Sequence, residues 1–201
     1  MTSIDIYNII DKIYERPNRY LFERKISALW NYLRGYQNAL CDLKIHQKDL
    51  PNFDYFSTWI CGRINTNYDL SVGWHWHLLK YYNDDEEKAF LEFFNFLIEF
   101  RKAQPIIKCH QILESKKKFY FNSNKDIPAF INTKKIFILN LPPSKSHWVI
   151  FADKNNIQLS VDRYSSQKQA KLGILFNFDI DDNWKEVSQK TSQVVYENFN
   201  K

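Results

Sequence analysis

The chain predicts an α+β fold, and three observations carry that prediction. Apolar residues recur with a helical period through the first half, and β-prone runs bounded by turn residues take over after Pro105. Neither a Gly/Ser-rich linker nor an internal repeat interrupts the 201 residues. The expected arrangement is a helical N-terminal half packed with a small antiparallel β-sheet and a C-terminal helix. Residues 1–102 form the helical region and residues 103–201 a basic α+β region, packed together as one unit. With 44% hydrophobic residues, 16 Phe, 12 Tyr and 6 Trp, the core is expected to be sizeable and aromatic.

The helices come first. Ile6, Ile9, Ile10 and Ile13 follow the i, i+3, i+4, i+7 rule, and Arg16-Pro17-Asn18 closes that segment because proline disfavours helix in the residue before it. Ile26, Leu29, Trp30, Leu33, Tyr36 and Leu40 make a second stripe with Gly35 inside it, where a close backbone approach is expected. Phe53 to Ile64 reads as a third apolar segment, followed by loop chemistry at 65–69. The acidic run Asn83-Asp84-Asp85-Glu86-Glu87 precedes Ala89, Phe90, Phe93, Phe94, Leu97 and Phe100. Carboxylates there suit a helix start, where they meet orphan N–H groups and the positive end of the dipole.

In the second half, Lys135 to Leu141 reads as a buried strand closed by Pro142-Pro143. His147–Ala152 and Ile157–Tyr164, joined by Asp153-Lys154-Asn155-Asn156, read as a hairpin in which Ile157, Leu159 and Val161 face inward and the other side is wet. Gly173 to Phe178 reads as a further strand, and Asn183-Trp184-Lys185-Glu186 as a capping box opening a final helix towards Tyr196.

Composition narrows the chemistry. Gly35, Gly62, Gly73 and Gly173 form neither a dinucleotide fingerprint nor a P-loop. No signal peptide is expected at the N-terminus, and no stretch approaches the roughly 20 apolar residues that span a bilayer. Cys41, Cys61 and Cys109 lack zinc or disulfide spacing and are expected as small buried hydrophobes in a reducing cytoplasm. Residues 1–102 hold 13 Lys and Arg against 14 Asp and Glu, a balance of −1; residues 103–201 hold 15 against 9, a balance of +6.

Sites of reaction are not expected. His75 and His77 would share a face only on a strand, and no third metal ligand stands near them. Ser144-Lys145-Ser146-His147 lacks a nucleophile elbow and reads as a loop entering a strand. Asp179-Ile180-Asp181-Asp182 opens like a calcium loop, but Trp184 and Lys190 stand where that loop needs Gly and Glu. Lys116-Lys117-Lys118-Phe119-Tyr120-Phe121 combines phosphate-neutralising charge with aromatics that can stack on bases.

Ile10-Asp11-Lys12-Ile13-Tyr14-Glu15-Arg16-Pro17 with Tyr20-Leu21, then Leu29, Leu33 and Gly35-Tyr36, resembles the opening of small bacterial immunity proteins of polymorphic toxin and contact-dependent inhibition systems. Phe56, Trp59-Ile60, Trp74 and the helix Ala89 to Phe100 follow in the same order, so the resemblance covers roughly residues 6–101. It implies a non-catalytic cytoplasmic protein that neutralises a cognate toxin domain by protein–protein interaction, with no cofactor, metal or membrane partner. Many nuclease-directed immunity proteins are acidic, and the basic second half departs from that pattern. The candidate contact surface is Lys116, Lys117, Lys118, Tyr120, Arg163 and Tyr164. The alternatives are a nucleic-acid-binding module using the basic, aromatic second half and a hydrolase with a Cys/His site; a small-molecule substrate is not expected.

Overall fold

A computed structural model of the chain describes residues 5–45, 51–69, 71–112, 131–181 and 183–188. The fold is α+β, and the chain divides into two units, the first ending at Ala103 and the second starting at Gln104. Among the described residues no helix is long and apolar enough to cross a membrane.

The first unit is helical: α1 (Ile6–Glu15), α2 (Pro17–Tyr20), α3 (Ile26–Asp42), a 3₁₀ turn (Phe53–Tyr55), α4 (Phe56–Arg63), α5 (Trp74–Tyr81) and α6 (Glu86–Phe100). Asp5 caps α1 by accepting from the Asn8 N–H at 2.9 Å, and Ile6, Ile9, Ile10 and Ile13 are buried as their spacing requires. Phe56 is the hub of the interior. It is fully buried, with ring centroids of Phe53, Trp59, Trp74, Phe93 and Phe100 between 5.2 and 6.1 Å away. Most of these pairs are edge-to-face, the geometry that places a positive ring edge on a negative ring face.

Polar groups fix the helix ends. Asn83 and Asp84 turn the chain with positive φ of 56° and 65°, and Asp85 accepts from the Lys88 N–H at 2.9 Å to start α6. Glu86 serves a second helix: α3 begins without a cap of its own, and the Glu86 carboxylate accepts from Ser27 N–H at 3.0 Å. At the other end of α6, Arg101 lies over the Tyr7 ring at 4.6 Å and meets Asp11 at 2.9 Å, tying α6 to α1. Gly35, where a close approach was expected, is exposed and has nothing within 4 Å of where a Cβ would stand. Gly73 is the crowded one, because the Trp30 indole would sit 2.4 Å from an added Cβ.

The second unit is a five-stranded antiparallel sheet, order β4-β3-β2-β1-β5, with one described helix against it. Its elements are β1 (Ile106–Gln111), β2 (Lys135–Asn140), β3 (His147–Ala152), β4 (Gln158–Tyr164), α7 (Gln167–Asn177) and β5 (Lys185–Glu186). The β3–β4 turn is an Asp-centred one: Asp153 accepts from Asn155 N–H at 2.8 Å and Ile157 N–H at 2.9 Å, and Asn156 takes a φ of 65°. Ile136, Ile138, Val149 and Phe151 face Ala170 and Ile174 of α7, with Phe178 and Ile180 filling in behind. The alternate residues Phe137, Leu139 and Ile150 are buried as well, so the central strands are apolar on both faces.

Four expectations change here. Gly173 to Phe178 is not a strand but the end of α7 and its cap. Ser166 accepts from Gln169 N–H and starts the helix upstream, and burial of Ala170 and Ile174, four apart, outweighs the β propensity of the Ile-Leu-Phe run. Asn183 to Glu186 is not the first turn of a helix: Lys185–Glu186 is extended and pairs with β1 opposite Lys108 and Cys109, so strand pairing takes the backbone groups a helix would have used, and the expected helix towards Tyr196 lies outside the described residues. Ile157, just before β4, and Val161 on β4 are exposed instead of inward: β4 is the edge strand, and Val161 lies on the face opposite Tyr164 and α7. Cys61 is buried as expected, whereas Cys41 is exposed on α3.

Replacing Phe56 by Ala should cost about 3–5 kcal/mol, the usual range for emptying a buried aromatic site, and Gly35→Ala should stabilise by up to about 1 kcal/mol. Urea unfolding midpoints at constant slope measure both.

Candidate partner-binding face

Helix α7 is apolar on both sides, which a helix lying on a sheet does not need. At about 100° per residue, Ala170, Gly173 and Ile174 point to one side, while Lys168, Lys171, Leu172, Leu175 and Phe176 fall within about 140° of arc on the other. The inner side is held very close. Ala170 and Ile174 are fully buried, and an added Cβ at Gly173 would stand 2.2 Å from the Tyr164 hydroxyl, so the tyrosine of β4 lies directly under the helix.

The outer side is partly exposed. Leu172 and Phe176 are each 57% exposed and Leu175 is 41% exposed, three large apolar side chains at i, i+3 and i+4. Along their flank runs a cleft of ≈ 210 Å³ lined by Lys168, Lys171, Leu172 and Leu175 from the helix and by Ile180, Asp181 and Trp184 from the following segment. Trp184 forms the far wall and is braced by His110 of β1, ring centroids 5.4 Å apart. Asp181 approaches the same imidazole at 4.0 Å. Isolated exposed leucines are ordinary, and Leu91 and Ile98 of α6 stand two turns apart as such. Leu172, Leu175 and Phe176 instead form a contiguous stripe bordered by lysines, which makes this side of α7 the candidate contact surface.

The residues singled out from the sequence are distributed differently. Lys116, Lys117, Lys118 and Tyr120 lie outside the described residues. Arg163 and Tyr164 are neighbours on β4 and therefore project to opposite faces of the sheet. Tyr164 is half-buried beneath α7; burial, the Asp162 charge and a hydrogen bond with Asp162 push its hydroxyl above the ordinary tyrosine value. Leu172, Leu175, Phe176 and Trp184 were missed. Their signal is present in the sequence: Ser166 with Gln169 three residues on, then Lys168, Leu172, Leu175 and Phe176 at helical spacing.

The other candidate chemistry is accounted for by packing. His75 and His77 lie on α5, where i and i+2 are about 200° apart, so they diverge. His75 stacks on Trp30 at 4.5 Å and His77 on Tyr68 at 6.2 Å. Among the described residues no three His, Cys, Asp or Glu side chains converge as a metal site. The Ser144 to His147 segment is a loop: Asn140 donates to the Ser144 and Ser146 carbonyls at 2.7 and 2.9 Å, and β3 begins at His147.

No family model, curated protein or solved structure matches this chain.

Burial holds both α5 imidazoles below the ordinary histidine value, against a raising influence of Glu86 on His75 and of Asp69 on His77. His77 is 3% exposed and its Nε2 has no hydrogen-bond partner, so it is buried neutral. The unfolded chain, with histidines near pH 6.5, binds protons first; stability is therefore full above about pH 6.5 and falls as pH drops towards the lowered folded values. Unfolding of the wild type at pH 7.5 and 5.0, compared with His77→Phe, should show a shallower acid loss in the variant. Separately, Gly173→Ala should lower thermal stability and shift the near-ultraviolet signal of the tyrosines.

Proposed function

We propose that the protein is an immunity factor that works by contact alone, binding and neutralising a cognate bacterial toxin domain in the cytoplasm. The observation that carries this reading is the outer side of α7: Leu172, Leu175 and Phe176 exposed together beside Lys168 and Lys171. Such a face suits another macromolecule, since apolar area left exposed forfeits roughly 25 cal/mol per Å² that a partner would recover.

The resemblance of residues 6–101 to immunity proteins supplies the class of partner. Neutralisation requires no bond making; it requires a rigid surface that covers or distorts a toxin's site over about 1,200–2,000 Å². The sheet and α7 form a preformed platform, with Ala170, Ile174 and Gly173 fixing the helix from below. Lysines at the edge speed encounter with a partner of opposite charge, and the apolar centre sets the lifetime of the complex.

Where a neighbouring gene encodes a toxin domain, co-expression with that domain should restore growth of cells that the toxin alone stops. The two purified chains should then co-elute as a complex that persists at about 0.5 M salt, because an apolar centre is not screened. Growth arrest in spite of soluble expression refutes the reading. Binding to nucleic acid that weakens by a power law in salt would replace it with a nucleic-acid module.

A further inference from the structure

We propose that residues 65–69 form an acid-released cover on α5: at neutral pH the segment closes over His77, and uptake of a proton by that imidazole lifts it away while the helices beneath stay packed. The acid loss of stability described above concerns the whole fold, whereas the cover gives way before it. The device is independent of what the protein binds.

His77 is 3% exposed, its Nε2 is without a hydrogen-bond partner among the described residues, and the Tyr68 ring stacks on it at 6.2 Å. A neutral imidazole can leave its unprotonated nitrogen bare. An imidazolium carries two N–H donors, and a buried donor without an acceptor costs about 1–3 kcal/mol, more when charged. The charged ring must therefore reach water, either by α5 leaving the core or by its cover opening. α5 is pinned. Trp74 packs with ring centroids 4.6–6.2 Å from Trp30, Phe53, Phe56 and Phe93, and Leu78 is fully buried. At about 100° per residue, His77 stands about 60° to the other side of Trp74 from Leu78, at the margin of the buried arc. The cover is held more lightly. None of residues 65–69 is buried, and their start is tied to the end of α4 by Asn65 N–H donating to the Gly62 carbonyl at 3.2 Å and Thr66 N–H to the Cys61 carbonyl at 2.8 Å. A segment that takes no buried side chain out of the core opens at less cost than a helix that does.

The charges around α5 leave this order intact. Burial lowers the His77 value, and Asp69 on the cover raises it by a smaller amount. Asp69 acts there as a charge, since its carboxylate accepts from the Ser71 N–H at 2.8 Å and the Ser71 hydroxyl at 2.7 Å. His75 is lowered by burial, raised by Glu86 of α6, and lowered by His77 and by Arg34 of α3, but its ring faces Trp30 of α3 at 4.5 Å. The ionisable groups of α4 are Cys61, which is buried, and Arg63, which pairs with Glu99 at 2.7 Å. With the cover open, His77 regains a value near 6.5 and binds the proton more tightly than when closed. Opening is thus favoured as pH falls from about 6.5 to the lowered closed value, and levels off below it.

Hydrogen exchange of the full chain, followed by NMR from pH 7.5 to 5.0 and corrected for the intrinsic pH dependence of amide exchange, tests this. Protection of the Asn65 and Thr66 amides should fall by up to about tenfold per pH unit below about pH 6.5, the limit for one proton, while Leu78 and Phe93 keep theirs. His77→Phe should make protection at Asn65 and Thr66 independent of pH, and His75→Phe should leave the acid response in place. In wild type labelled with carbon-13 histidine, the His77 ring should titrate below about pH 6.5.

Protection at Asn65 and Thr66 that does not change with pH overturns the proposal, as does an acid response that survives in a folded His77→Phe or disappears in His75→Phe. Loss of protection at Leu78 and Phe93 in step with Asn65 and Thr66 also overturns it, because the helices then open together with the segment. A wild-type His77 ring that titrates at or above about pH 6.5 overturns it without recourse to any variant.

Discussion

The close approach of Tyr164 to Gly173 governs how the second unit is arranged. With a side chain at that position either the tyrosine or the helix would have to move, because an added Cβ would stand 2.2 Å from the tyrosine hydroxyl. Glycine lets α7 lie low enough for Ala170 and Ile174 to reach Ile136, Ile138, Val149 and Phe151. Once those inner contacts fix the rotation of the helix, the position of every other residue on it follows. Leu172, Leu175 and Phe176 are then turned outward, not by any preference of their own but because 100° per residue leaves them nowhere else. The exposed stripe is thus a consequence of the packing beneath it.

The first unit relies on a different device. Its interior is aromatic, and rings pack by edge and face instead of by interdigitating branched chains, so Phe56 can touch five partners from four elements. Ring packing of this kind is demanding of angle, and charged groups at the helix ends hold those angles. Glu86 caps a helix other than its own, and Arg101 joins the end of α6 to Tyr7 and Asp11 of α1. Exposed pairs of this sort contribute little each to stability, generally about 0–1 kcal/mol, but they fix register.

Much of this was legible from residue order. The isoleucine stripe of α1, the acidic start of α6 and the strands flanking Asp153 to Asn156 follow from period and turn chemistry alone, each being a local effect within a few residues. The exceptions share a cause. Gly173 to Phe178 has strand-like residues yet ends a helix, and Asn183 to Glu186 has a capping box yet pairs as a strand. In both, distant partners in the sheet outcompeted a local preference worth at most about 1 kcal/mol. Tyr164 and Arg163, adjacent in sequence, were separated for a simpler reason: a strand sends neighbours to opposite faces.

What the sequence determined by itself was the class of fold, the helical and β halves, the aromatic character of the core and the basic charge of residues 103–201. Those properties depend on composition and short-range period, which need no knowledge of what lies nearby. Tertiary structure decided which apolar residues of the second half are core and which are surface. Ile174 and Leu175 are alike in hydrophobicity and adjacent in the chain, yet one is fully buried against the sheet and the other faces a cleft in water. Only the direction of approach between α7 and the sheet distinguishes them, and that direction is set by residues far away along the chain.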